Sequence, residues 1–104
     1  MNEAYRLCHT YLTHLPKTTR YTLGTKIDNL FTDCLELALL ASYQSKIQKM
    51  STVEELNAKF DALKFFIQVL WDAKAIDTNK ITRLSVHLTE IGKMVGGWIK
   101  HLQR

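Results

Sequence analysis

Two separated groups of cations have the most evident chemistry in this sequence: Lys17, Arg20 and Lys26 in the first, Lys74, Lys80 and Arg83 in the second. Ammonium and guanidinium groups hold phosphate oxygens through charge-assisted hydrogen bonds. A cluster of them suits a polyanion such as RNA or DNA. The net charge of +4 is unevenly spread. Residues 1–26 set four basic residues against Glu3, and residues 74–104 set six against Asp77 and Glu90. The middle, residues 27–73, sets four lysines against seven acids.

Other reactive residue types occur without the spacing that catalysis requires. His9, His14, His87 and His101 never fall four apart as a helical zinc pair would, and HExxH and ExxH patterns are absent. Tyr21-Thr-Leu-Gly24 is not a phosphate-binding GxxxxGK[ST] loop. Ser42, Ser45, Ser51 and Ser85 have no GxSxG context. Asp28 and Asp33, like Glu54 and Glu55, read as solvated acids on helix faces. Cys8 and Cys34 have no CxxC or Cys/His spacing and read as buried, reduced thiols. No enzyme, metal, cofactor or small-molecule substrate is expected.

Helices must position these residues. A chain of 104 residues has room for one domain, taken as 1–104, and its 46% hydrophobic and 23% charged composition is that of a globular protein. One Pro and four Gly leave little turn vocabulary for a β-sandwich or barrel. A short amphipathic helix is expected over Glu3–His14, with Tyr5, Cys8 and Leu12 on one face. Pro16 can start a helix but not continue one, so a second helix follows it. That helix is expected to run to about Lys46 on Leu23, Ile27, Leu30, Phe31, Cys34, Leu37, Ala38 and Ala41. Ser51 and Glu54 have capping-box spacing and are expected to start a third helix, whose stripe is Val53, Leu56, Phe60, Leu63, Ile67 and Leu70. Asp77-Thr78 is an N-cap candidate for a fourth, with Ile81, Leu84, Leu88, Ile91, Val95, Trp98, Ile99 and Leu102 apolar.

Short connections between long helices predict an all-α, antiparallel up-down-up-down four-helix bundle with a short first helix. That topology gathers His14, Lys17, Arg20, Lys26, Lys74, Lys80 and Arg83 at one pole, with Asp72 and Asp77 the nearby acids. A solvated, lysine-rich helix end would show the same pattern. No apolar run reaches the 18 or so residues of a membrane span. The first residues lack a signal-peptide pattern, so a cytoplasmic protein with no membrane partner is expected.

Two further features concern packing. The third helix carries Ala58, Ala62, Phe65 and Val69 roughly opposite its core stripe, and the second carries an outlying Leu39, Leu40 and Tyr43. A bundle helix does not need two opposed apolar stripes. Burial against the short first helix would account for part of this; a homo-oligomer interface accounts for it better. In the fourth helix, Glu90–Lys100 holds Gly92, Gly96 and Gly97, each costing about 1 kcal/mol relative to Ala. Such losses suggest a helix pressed tightly on a neighbour, with Lys93 and Lys100 turned outward.

Leu15-Pro-Lys-Thr-Thr-Arg-Tyr-Thr-Leu-Gly-Thr-Lys-Ile27 and Leu84-Ser-Val-His-Leu-Thr-Glu-Ile-Gly-Lys-Met-Val-Gly-Gly-Trp-Ile-Lys100 together resemble the accessory variability determinant (Avd) proteins of diversity-generating retroelements. Between them, Leu56–Lys74 follows that family's apolar rhythm. The family has a broader kinship with four-helix-bundle proteins encoded within ribosomal-RNA intervening sequences. The resemblance implies a small helical bundle that assembles as a homopentameric barrel with a basic surface. It also implies association with a reverse transcriptase, binding of RNA or DNA, and a part in error-prone copying of a template RNA. On matching positions it makes Lys17, Arg20, Lys26, Lys93 and Lys100 basic contacts, to which the pole argument adds Lys80 and Arg83. Leu23, Gly24, Gly92, Gly96, Gly97 and Trp98 look architectural. The expected function is therefore a non-catalytic accessory subunit. The alternative is an oligomeric protein-binding scaffold with no direct nucleic-acid role.

Overall fold

The computed structural model describes residues 1–103, which form four helices and, among those residues, no strand. Helix α1 is Asn2–Thr13. Helix α2 covers residues 17–43: a turn at Lys17–Thr19, a π-helical stretch at Arg20–Gly24, and a regular α-helix at Thr25–Tyr43. Helix α3 is Lys46–Asp72 and helix α4 is Thr78–Leu102. At 1.5 Å per residue the longest helix reaches about 40 Å, close to the 44 Å long axis of the 44 × 22 × 20 Å molecule.

Each break has a local cause. Pro16 is extended (φ −53°, ψ 146°), and its carbonyl accepts the Arg20 N–H at 2.8 Å as the helix begins. Helix α3 ends on a left-handed Lys74 (φ 59°), with Ala75 N–H bonded to the Leu70 carbonyl and Lys74 N–H to the Trp71 carbonyl. This is a Schellman stop with Lys where Gly is usual. Asp77 caps α4 as expected, its Oδ1 accepting the Lys80 N–H at 2.9 Å.

One expected boundary is wrong. Helix α2 ends at Tyr43 and α3 starts at Lys46, so Ser51 lies inside α3 and its capping box with Glu54 does not form a helix start. Gln44 and Ser45 are both extended (ψ 154° and 161°) and complete the turn in two residues. Lys46-Ile-Gln-Lys-Met50 contains no breaker, so the helix begins as soon as the turn is made.

The apolar stripes meet in a shared core. All six expected core residues of α3 are buried, as are Ile27, Leu30, Phe31, Cys34 and Ala41 of α2 and Leu84, Leu88, Ile91 and Val95 of α4. Helix α2 packs along α3, α3 against α4, and α1 against α2 and α4. The first helix contributes Ala4, Cys8 and Leu12 at a four-residue period. Burial pushes the Cys8 thiol up to about 12 and the Cys34 thiol up to about 11. Both cysteines are free.

The glycines of α4 do not mark a close approach within the chain. A Cβ on Gly92 would sit 3.5 Å from Phe60 Cε2, an ordinary contact, and one on Gly96 or Gly97 would meet nothing within 4 Å. Lys93 and Lys100 do turn outward.

Candidate nucleic-acid interface

Arg20 and Lys80, sixty residues apart in sequence, both meet the last turns of α1. The Arg20 guanidinium donates from Nη1 to the Thr13 carbonyl at 3.4 Å, and lies 5.6 Å from the centroid of the neighbouring Tyr21 ring. Lys80 holds its Nζ 5.6 Å from the Tyr11 ring centroid. Such cation–π contacts fix where an ammonium sits without neutralising it. Lys26 reaches the other way, to 5.8 Å from the Phe66 ring of α3. Lys17 and Arg83 are exposed, as are His14 and Lys74.

Carboxylates near this end are engaged elsewhere. Asp28 Oδ1 accepts the Tyr5 hydroxyl at 2.9 Å and lies 3.2 Å from His9 Nδ1. Burial first, and then this bond to Asp28, raise the Tyr5 phenol above its ordinary pKa. Asp72 accepts from Gln68 Nε2 at 3.0 Å, and Asp77 is committed to its cap. Among the described residues, none of Lys17, Arg20, Lys26, Lys80, Arg83, Lys93 and Lys100 is in a salt bridge. Their charge is therefore available to an external anion.

Lys93 and Lys100 do not join the group. They follow Lys80 by thirteen and twenty residues on one helix, or about 20 and 30 Å along its axis.

The π-helical stretch Arg20–Gly24 was not anticipated. π-Bulges commonly occur at functional sites, and this one carries Arg20 and Tyr21 together. A cleft of about 220 Å³ lies between it and α1, lined by His9, Leu12, Thr13, Arg20, Tyr21, Gly24, Thr25 and Asp28. The local sequence holds a faint signal, a run of threonines. Thr22 Oγ1 bonds back to the Thr18 carbonyl at 2.9 Å and Thr25 Oγ1 to the Arg20 carbonyl at 3.3 Å, competing with regular helix bonds.

The second apolar face stands in the open. Phe65 is 61% exposed and Tyr43 80% exposed; Leu39, Leu40 and Ala58 are also exposed, while Ala62 and Val69 are half-buried. Helix α1 packs against α2 and α4, so it does not account for the α3 stripe. Ile47, 91% exposed, stands beside the α2–α3 turn as a further apolar residue, outside both expected stripes.

Among the described residues, no group of three or more His, Cys, Asp or Glu is arranged to hold a metal ion, and no helix is long and apolar enough to cross a membrane. The molecule is thus an all-α helical bundle whose distinctive surfaces are unpaired cations and an uncovered apolar face. The chain belongs to the bAvd-like family, whose model matches residues 2–102, in agreement with the Avd resemblance of its two motifs. No curated protein and no solved structure matches it.

Proposed function

We propose that the protein is a non-catalytic accessory subunit of a diversity-generating retroelement. It binds the element's reverse transcriptase together with template RNA or its cDNA, and supports mutagenic reverse transcription in the cytoplasm. Membership of the bAvd-like family over residues 2–102 carries this reading. The unpaired Lys17, Arg20, Lys26, Lys80 and Arg83 agree with it, because phosphate contacts of this kind need charge more than shape. Lys93 and Lys100 extend the basic surface along α4.

In this reading residues 1–104 form a single domain with antiparallel up-down-up-down helices, assembled as a homopentameric barrel. Lys26 lies against Phe66 and Asp33 against Lys59, so positions rise on α2 as they fall on α3, which supports that order. Leu39, Leu40, Tyr43, Ala58, Ala62, Phe65 and Val69 supply the subunit interface. The uncovered Phe65 and Tyr43 favour a second reading, an oligomeric protein-binding scaffold with no nucleic-acid role.

Fluorescence anisotropy of a labelled RNA across a salt series, with native mass recorded on the same sample, separates the two. Salt-dependent binding by an oligomer supports the accessory-subunit reading. Arg20→Glu with Arg83→Glu should then weaken binding to all sequences and flatten the log–log salt slope by about 1.4, or ~0.7 per lost single-strand phosphate contact. An assembled oligomer that binds no RNA at low salt points to the scaffold.

A further inference from the structure

At the end of the bundle away from Lys80, the start of α3 and the last turns of α4 enclose a cleft of about 190 Å³ lined by Lys46, Lys49, Trp98, His101 and Leu102. Helix α1 does not extend over it: Met1 lines a separate cavity beside Glu90 and Met94, a turn or more earlier on α4. Among the described residues, the lining combines two lysines, a histidine, a tryptophan and a leucine, with no acidic residue. Elsewhere the balance differs. The cavity at Met1 includes Glu3 and Glu90, the α1 cleft includes Asp28, and the one beside Trp71 includes Asp72 and Asp77. The cleft at Lys64 has no acid in its lining, but Lys64 is already 3.3 Å from Asp61. Lys46 and Lys49 have no salt-bridge partner among the described residues.

Cations beside an aromatic with part of its ring exposed are a combination that holds single-stranded nucleic acid, with backbone phosphates on the charges and a base against the ring. Double-stranded partners bury their base faces and would leave the indole unused. Trp98 is half-buried and packs in part on the core; an acidic protein would satisfy the lysines but would gain nothing from the part of the residue that lines the cleft.

We propose that this cleft is a second contact for a single-stranded polynucleotide, with one base packed on Trp98 and adjoining phosphates held by Lys46 and Lys49. It lies about 27 Å from Lys80 along α4, eighteen residues on, so one strand could touch both ends of the bundle. The inference rests on the nucleic-acid reading above, and adds to it a base-contacting site at the opposite end of the bundle.

Trp98 provides the test. In assembled protein carrying Trp71→Phe, Trp98 is the sole tryptophan; it is titrated with labelled oligouridylate, following anisotropy and tryptophan emission together. The expected result is quenching that tracks binding and is lost in Lys46→Glu with Lys49→Glu, surface changes that spare the core. Trp98→Ala should weaken binding roughly 5- to 140-fold; the lysine pair keeps the test decisive if that variant misfolds. Polyphosphate should displace the oligonucleotide without quenching. Binding without any change in Trp98 emission overturns the cleft and leaves the accessory function standing. Quenching that survives Arg20→Glu with Arg83→Glu supports the cleft and removes the opposite pole as a required contact. Equal quenching by polyglutamate would mean an acidic protein segment occupies the cleft and would overturn the proposal, as would the absence of both binding and quenching.

Discussion

Asp77 Oδ1 accepts the backbone N–H of Lys80 at 2.9 Å, while the Lys80 ammonium lies 5.6 Å from the Tyr11 ring centroid. One residue thus joins the cap of α4 to the end of α1. The cap holds the first turn in shape, and the first turn presents Lys80 and, one turn on, Arg83. A feature of helix stability therefore also sets the geometry of the basic end.

Replacing Asp77 with Ala removes the only side-chain cap found at a helix start among the described residues. The expected loss is about 1 kcal/mol, or a fall of roughly 4–8 °C in Tm for a domain of this size. Asp77→Asn should recover most of it. Thermal unfolding followed by circular dichroism measures both, and equal Tm values for Asp77→Ala and the parent would show that the cap contributes nothing.

Phe65→Asp should separate assembly from folding. Phe65 is 61% exposed and outside the core, so helicity and subunit fold should persist while native mass falls to smaller species. An unchanged native mass removes Phe65 from the interface.

Gly96 and Gly97 have open space where a Cβ would go. In the isolated subunit, Gly96→Ala and Gly97→Ala should each stabilise α4 by about 1 kcal/mol through helix propensity alone. If either change instead disrupts assembly, the close approach that these glycines permit lies between subunits. Denaturant unfolding and native mass on the same variants distinguish the two outcomes.

The thiols give a pH prediction with a definite sign. Cys8 and Cys34 are raised from 9.0 to about 12 and about 11 by burial. Above pH 9 the unfolded chain releases these protons while the folded chain keeps them, so stability should be fully present below pH 9 and fall between pH 9 and about 12. A serine replacement at Cys34 should make the decline shallower. Below pH 9 a thiol reagent should modify neither cysteine until the protein unfolds; fast labelling under native conditions would contradict their burial.

Much of the fold was legible because its determinants are local or periodic. The α3 stripe from Val53 to Leu70 repeats at helical spacing, and each residue in it is buried. Pro16 forbids helix continuation wherever it occurs, and Asp77 sits directly before an amphipathic run. The second α3 stripe was equally readable, since Phe65 lies opposite Leu63 and Ile67 in any helix. The α2–α3 turn was less so: two extended residues, Gln44 and Ser45, serve as well as a capping box, and Ser51 supplied a stronger but unused signal. Segment charge was misleading for a related reason, because the acidic balance of residues 27–73 concealed Lys46 and Lys49 just after the α2–α3 turn, in the middle of that segment.

By itself, then, the sequence determined four helices, their buried faces and membership of the family, since propensity, capping and periodicity act over a few residues. The tertiary structure alone decided that Arg20 and Lys80 share the end of α1, that Lys93 and Lys100 lie along a different part of the surface, and that Lys46 and Lys49 line one cleft with Trp98. Those relationships depend on helix lengths and on how one helix is seated against the next, and packing between elements distant in sequence is what sets both.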